Sequence, residues 1–284
     1  ALPIYIYKNY KNSIFTDLPT LLKLRKENFD VCIELEHSVI PHAILRLKII
    51  KPKKIISIHK DGRYGVKGSE IELYDFFTKK DKENHFGKIW LDTLSFFQIN
   101  PSSTKYDFFL NKVEKDRAKK FVNSLGDKIK IGINTQGSFP EKSITDNYLR
   151  DICLGLRSNY KNIQIIILAT PDQILNKKFF ISKFDFDFVE CSYPTFSIND
   201  VAALIQQLDF IITPDTSIVH IASSFDIPIV SIHENNKDSY RLWSPTSTLN
   251  KTIFAKSSYG ISNFSVSDVI KSSSEILKII ELKQ

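Results

Sequence analysis

From residue 128 onward, short unbroken apolar runs alternate with longer stretches whose apolar residues recur every three or four positions. "KIKIGIN" (128–134), "IQIIILAT" (163–170), "DFVECSY" (187–193), "FIITPD" (210–215) and "PIVSIHE" (228–234) read as buried strands. "TDNYLRDICLGLRSN" (145–159), "DQILNKKFFISKF" (172–184), "SINDVAALIQQL" (197–208), "TSIVHIASSF" (216–225) and "SVSDVIKSSSEILKIIELK" (265–283) read as helices. Thr145 or Asp146 is the expected cap of the first helix, and an S-x-x-D box beginning at Ser197 opens the third. Continuous apolar strands alternating with helices predict an α/β fold with a parallel sheet covered on both faces.

The first part of the chain follows the pattern less regularly. "FDVCIEL" (29–35) and "KKIISIH" (53–59) predict strands, and "TDLPTLLKLRKEN" (16–28) and "HFGKIWLDTLSFFQI" (85–99) predict helices. Residues 105–128 predict a strand-like piece, a charged helix and a stop at Gly126. The most economical division is therefore at Gly126, with one α/β unit over 1–126 and a second over 127–284. Each would present the C-terminal ends of its strands to a cleft.

With 284 residues, 42% hydrophobic, the chain can bury a substantial core, and 25% charged residues and nine glycines argue against a disordered or fibrous class. No apolar run approaches the roughly 20 residues that span a bilayer, and the start shows no signal-peptide pattern. Cys32, Cys153 and Cys191 are far apart, which argues for a reducing, cytoplasmic setting and against a disulfide framework or a zinc site. The chain contains no methionine and opens at Ala1 in "ALPIYIY", which reads as the inside of a strand. A preceding N-terminal segment, or methionines missing from the sequence, is the expectation.

The formal net charge is +7. That balance fits an anionic partner (nucleotide, nucleic acid or acidic membrane surface) or AT-rich coding that inflates Lys, Ile, Asn and Phe. Arg46, Lys48, Lys51, Lys53, Lys54, Lys60, Arg63 and Lys67 stand against only Asp61 and Glu70 in the same segment.

Ligands of open α/β sheets sit outside the carboxyl ends of the strands, and three such ends are unusual here. Thr135-Gln136-Gly137-Ser138 is followed by Lys142, which pairs accessible backbone amides with a point charge suited to phosphate, although no Walker A pattern is present. Asp215-Thr216-Ser217 stands where a strand gives way to a helix. Asp215 is expected to cap that helix, a common role worth about 1 kcal/mol. The amides of Thr216 and Ser217 would equally suit a phosphate, with Asp215 accepting sugar hydroxyls. His220 lies on the same helix, where a packed histidine is the commoner finding. The third end, His233-Glu234-Asn235-Asn236, leads to Trp243-Ser244-Pro245.

Together these segments resemble the heptosyltransferase family, glycosyltransferase family 9. The resemblance is carried by "DFIITPDTSIVHIASSFDIPIVSIHENN" and "RLWSP", in the order Asp215, Thr216, His220, Ala222, Pro228, Trp243, Pro245. "INTQGSFPEKSITDNYLRDI" resembles the family's phosphate loop, with Lys142 at the matching lysine, and "ILATPDQ" its nucleotide-side turn. Ser217 replaces a family glycine, and the His233-Glu234 region replaces another. The family's N-terminal strand and Gly-Asp loop have no match.

The resemblance implies a GT-B scaffold of two facing Rossmann-like domains with parallel sheets, the N-terminal one incomplete and on the acceptor side. It implies inverting transfer of heptose from ADP-heptose to a lipopolysaccharide or lipooligosaccharide core acceptor, with no resident cofactor or metal. Thr135, Ser138, Lys142, Thr170, Gln173, Asp215, Thr216, Ser217 and His220 would bind the donor, with Asp215 and Lys142 catalytic. The general base is not located; Asp61, Glu34 and Glu36 are candidates. Lys60 and Arg63, in "HKDGRYGVKG", would meet the anionic acceptor, and the same basic face would touch anionic inner membrane from the cytoplasmic side. The alternatives are another nucleotide sugar, a protein acceptor or a non-catalytic nucleotide-sugar binder. A nucleic-acid partner is not expected, because no recognisable module is present.

Overall fold

The computed structural model describes residues 14–282, so the expected strand "ALPIYIY" lies outside the described residues. The chain divides into two compact units, one ending at Thr104 and the other beginning at Lys105. The boundary drawn from the sequence at Gly126 falls inside the second unit. Among the described residues no helix is long and apolar enough to cross a membrane.

In the first unit, α1 (Ile14–Lys26), β1 (Val31–Glu34), α2 (Pro41–Ile50), β2 (Lys54–Ser57), β3 (Phe76–Phe77) and α3 (Phe86–Leu91) surround a parallel sheet of order β1-β2-β3. Ile55, Ile56, Ile58, Leu47, Phe86 and Ile89 are buried. The helix expected over 85–99 is α-helical only to Leu91 and continues as a 3₁₀ helix over Asp92–Phe97. In this unit α2 and β3 went unread in the sequence, as α9 (Lys237–Trp243) and β9 (Asn250–Phe254) did in the second. α2 opens on Pro41, whose fixed φ suits a first helical turn, and ends on Lys51 in the left-handed region. β3 has two residues, too few to show a period.

Asp17, 3% exposed, receives Arg46 through Nε at 3.1 Å and Nη2 at 2.8 Å. Lys53 pairs with Asp30, Lys54 with Asp75 and Lys60 with Glu34. Four of the eight basic residues of this stretch are thus paired with carboxylates that lie far from them in sequence.

The second unit contains α4 (Lys112–Ser124), β4 (Ile129–Asn134), α5 (Asp146–Asn159), β5 (Ile163–Leu168), α6 (Ile174–Lys183), β6 (Val189–Cys191), α7 (Ile198–Ile205), β7 (Phe210–Pro214), α8 (Ser217–Ser224), β8 (Ile229–His233), α9 (Lys237–Trp243), β9 (Asn250–Phe254) and α10 (Val266–Glu281). Its strands run β6-β5-β4-β7-β8-β9, all parallel. The order reverses between β4 and β7, a topological switch point.

Period-two alternation distributes each strand's side chains between two cores. Ile163, Ile165 and Ile167 of β5, with Phe210 and Ile212 of β7, pack against Leu149, Ile152 and Leu156 of α5 and Ile276 and Leu277 of α10. Ile166, Leu168, Ile211 and Ile229 face Ala202, Leu204 and Ile205 of α7 and Val219 and Ala222 of α8. Burial on both faces explains why these strands read as unbroken apolar runs. The strand-like piece before α4 is extended but pairs with no strand; Phe108 and Leu110 pack against the second core instead. Gly126, at φ +76°, ends the turn after α4, and Thr145 rather than Asp146 caps α5.

Candidate functional site

At the switch point the C-terminal ends of β4 and β7 open into a pocket of about 320 Å³. Its wall includes Asn134, Gln136, Gly137 and Ser138 after β4, Thr170 after β5, and Thr216 and Ser217 at the start of α8.

Asn134, 5% exposed, organises this rim. Its Nδ2 donates to the Gln136 carbonyl at 3.1 Å, Thr213 Oγ1 at 3.0 Å and Thr216 Oγ1 at 3.3 Å, and its Oδ1 accepts the Gln136 N–H at 3.1 Å. Gln136 Nε2 reaches Thr170 Oγ1 at 3.3 Å, linking the β4 and β5 ends. Asn134 did not stand out in the sequence, because an asparagine closing an apolar strand looks like any turn residue, and Gln136 was noted only as part of the Thr135–Ser138 loop. Gly137 is required by close approach: a Cβ there would lie 2.1 Å from the Lys142 carbonyl oxygen.

The cap of α8 is Thr216, whose Oγ1 accepts the Ile218 N–H at 3.3 Å; the expectation that Asp215 caps this helix is corrected. Capping needs the side chain one residue before the first helical turn, and the chain enters the helix one residue later than expected. The Asp215 carboxylate is thereby released toward the ends of β8 and β4. Its Oδ2 lies 3.6 Å from Nδ1 of His233. Burial raises the Asp215 carboxyl above its ordinary value and Glu234 adds to this, against Lys142 and His220. Burial pulls the His233 imidazole down to about 4, so it is neutral near pH 7.

Lys142 ends a 3₁₀ turn over Pro140–Lys142, and its Nζ lies 3.3 Å from Glu234 Oε2. Lys142, Asp215, His233 and Glu234 form a charged cluster that joins the pocket at Thr216 and at Gly137. His220 of α8 makes edge contacts with Trp243 and Tyr106, centroids 5.6 and 5.8 Å apart.

The pocket wall thus collects Ser138, Thr170, Thr216 and Ser217 from the expected donor set, and the adjoining cluster holds Lys142 and Asp215. Thr135 is 2% exposed and lies outside the pocket wall, as does Gln173, whose N–H donates to the Thr170 carbonyl at 2.9 Å.

The expected acceptor and base residues lie in the first unit. Lys60 is 4% exposed and binds the Glu34 carboxylate and the Glu36 carbonyl. Its charge is used inside the fold, contrary to the expectation that it faces an acceptor. Glu34 also accepts from Ser57 Oγ at 3.1 Å and from the Glu36 N–H at 3.1 Å, so its oxygens are occupied. Glu36 accepts the Ser38 N–H at 3.1 Å and lies 3.2 Å from His37 Nδ1. Asp61 binds Lys80 at 2.6 Å, which lowers its carboxyl pKa. Arg63 is exposed and lies over the Tyr64 ring at 4.8 Å.

Among curated proteins, the chain is 26% identical over 243 residues to "Putative lipopolysaccharide heptosyltransferase 4" of Escherichia coli K12, covering 81% of this chain and 62% of that protein. It therefore spans less than two thirds of that relative's length. A glycosyltransferase family 9 protein of Veillonella parvula superposes with a TM-score of 0.74 at 17% identity, covering 94% of this chain and 79% of that one. The ADP-heptose lipopolysaccharide heptosyltransferase II of E. coli superposes with a TM-score of 0.70 at 14% identity, covering 94% and 82%. At such identities the likeness establishes the fold, the GT-B class with parallel sheets. The family model for glycosyltransferase family 9 (heptosyltransferase) matches residues 21–262, most of the chain and both units, and the chain belongs to that family.

Proposed function

We propose that the protein is an inverting glycosyltransferase that moves heptose from ADP-heptose to a core sugar of lipopolysaccharide or lipooligosaccharide. The observation that carries this reading is the juxtaposition at the switch point: a pocket bounded by the start of α8, with Asp215 and Lys142 beside it. The diphosphate would sit at the first turn of α8, where amides and the helix dipole favour an anion. Asp215 would accept hydrogen bonds from sugar hydroxyls. The acceptor oxygen attacks the anomeric carbon, the bond to the diphosphate breaks, and ADP leaves with the electron pair. Lys142 and the helix start stabilise that developing negative charge, so the reading calls for no resident metal or cofactor. A base takes the acceptor proton. Of the three candidate carboxylates, Asp61 and Glu36 remain proposed for that role, and Arg63 would meet the anionic acceptor or an anionic membrane surface.

The test is incubation of the full-length protein with ADP-heptose and a truncated core acceptor, scored for glycosylated product and free ADP. No product with this pair, but transfer with another nucleotide sugar or onto a protein, would move the reading to that donor or acceptor. The ion pairs of Glu34 and Asp61 favour a second reading, a nucleotide-sugar binder without turnover. Donor binding with no ADP released would identify it.

A further inference from the structure

This chain carries His233-Glu234 at the end of β8. The Glu234 carboxylate is fixed from two directions. Its Oε2 lies 3.3 Å from Lys142 Nζ and accepts the Gly260 N–H at 3.2 Å. Gly260 is itself locked: it has φ +74°, and a Cβ there would meet the Glu141 carbonyl oxygen at 2.7 Å. The Ile261 N–H donates to that same carbonyl at 2.8 Å, and the Asn235 N–H donates to Ser257 at 2.8 Å. Glu234 is thus a stiff arm that bridges the β8 end, the loop after β9 and the turn carrying Lys142.

The Lys142 and Glu234 side chains are only 22% and 13% exposed, so solvent screens their attraction poorly. Asp215 stands close enough to feel both. With His233 neutral, one ammonium faces two carboxylates. A diphosphate approaching Lys142 meets a cation already paired and a second anion held beside it.

We propose that Glu234 is a positioning residue that occupies Lys142 in the unliganded protein as an internal counter-anion, and that a nucleotide diphosphate must take its place. Glu234 thereby weakens retention of ADP and favours its release. This rests on the donor-site reading above.

The experiment is calorimetric titration of ADP into the wild-type protein, Glu234→Gln, Lys142→Ala and the double variant, with thermal unfolding run on each. Glutamine keeps an oxygen for the Gly260 N–H while removing the charge. The expected result is ADP binding at least fivefold tighter in Glu234→Gln, with the gain falling below twofold when Lys142 is alanine. A merely structural role predicts equal or weaker binding in both backgrounds. If Lys142→Ala weakens ADP while Glu234→Gln binds no tighter than wild type, the counter-anion is wrong and the donor site stands. If Lys142→Ala binds ADP like wild type, the donor reading falls and takes this inference with it. Should Glu234→Gln fail to fold, Glu234→Asp draws the carboxylate back from Lys142; tighter ADP binding supports the proposal and unchanged binding overturns it.

Discussion

Asn134 Nδ2 lies 3.3 Å from Thr216 Oγ1, a hydrogen bond between residues 82 positions apart. It joins the ends of the two strands between which the sheet order reverses, at the rim of the pocket. Asn134→Ala leaves the Gln136 N–H without its acceptor and removes one donor from Thr213 Oγ1 and one from Thr216 Oγ1, which still accepts the Ile218 N–H. The expected cost is about 1–3 kcal/mol in urea unfolding, the penalty for an orphaned buried polar group. ADP affinity, measured calorimetrically, falls as the rim loosens. A variant as stable as wild type with unchanged affinity would show that the rim is held by other contacts.

Asp215 opposes stability at the edge of the pocket. Its carboxyl is raised in the folded chain, chiefly by burial, so the folded form keeps the proton to higher pH than the unfolded chain does. Its contribution to stability is complete below the ordinary value of 3.8 and is lost as pH rises through the folded value. Asp215→Asn is therefore expected to be more stable than wild type at neutral pH, with the difference disappearing in acid. The same variant should transfer sugar at least tenfold more slowly, as expected on losing a positioned charge-assisted contact. Urea unfolding across pH, beside the ADP-release assay, reads both effects.

His233 has the opposite sign. The folded imidazole protonates only near 4, against 6.5 for an unperturbed histidine. Stability from this group is full above 6.5 and is lost progressively as pH falls through 4. The shift from 6.5 to about 4 corresponds to roughly 3 kcal/mol at the acid end. His233→Asn should flatten the decline between those two values. An unchanged acid limb in pH-dependent unfolding would mean that other groups govern it.

Arg117 Nη1 of α4 lies 2.8 Å from Asp200 Oδ1 of α7, whose side chain is 7% exposed. Asp200 also accepts the Phe196 N–H and the Ser197 hydroxyl, each at 3.1 Å. Arg117→Ala removes the cation and leaves those two donors, so the expected loss is about 1–2 kcal/mol, short of that for a fully buried pair. Hydrogen exchange should quicken in α4 before α7, with ADP binding unchanged. Equal exchange in α4 would show that apolar packing of Ala118, Phe121 and Val122 holds the helix without the ion pair.

Most of the second unit was legible because strands β4, β5, β7 and β8 are buried on both faces and its helices carry local start signals, whereas half-buried β9 and the short, unburied α9 went unread. The Ser197 hydroxyl accepts the Asp200 N–H at 3.1 Å, as the S-x-x-D box predicts. The first unit was less legible: α2 has no side-chain cap to mark its start and β3 is two residues long. The motif around Asp215 pointed to the strand ends that line the pocket, but not to the hydrogen bonds of Asn134 and Gln136, which form only when β4 and β7 are neighbours. Nor did it separate Lys60, consumed by Glu34, from Arg63, which remains at the surface.

By itself the sequence determined the alternation of buried strands and capped helices, the parallel sheet and the family, because burial periodicity and helix starts are written in residues a few positions apart. Only the tertiary structure decided which charges are free. Lys142 faces Glu234, Lys60 faces Glu34 and Arg46 faces Asp17 across separations set by strand order, and a charge reveals its partner only once the fold has brought the two together.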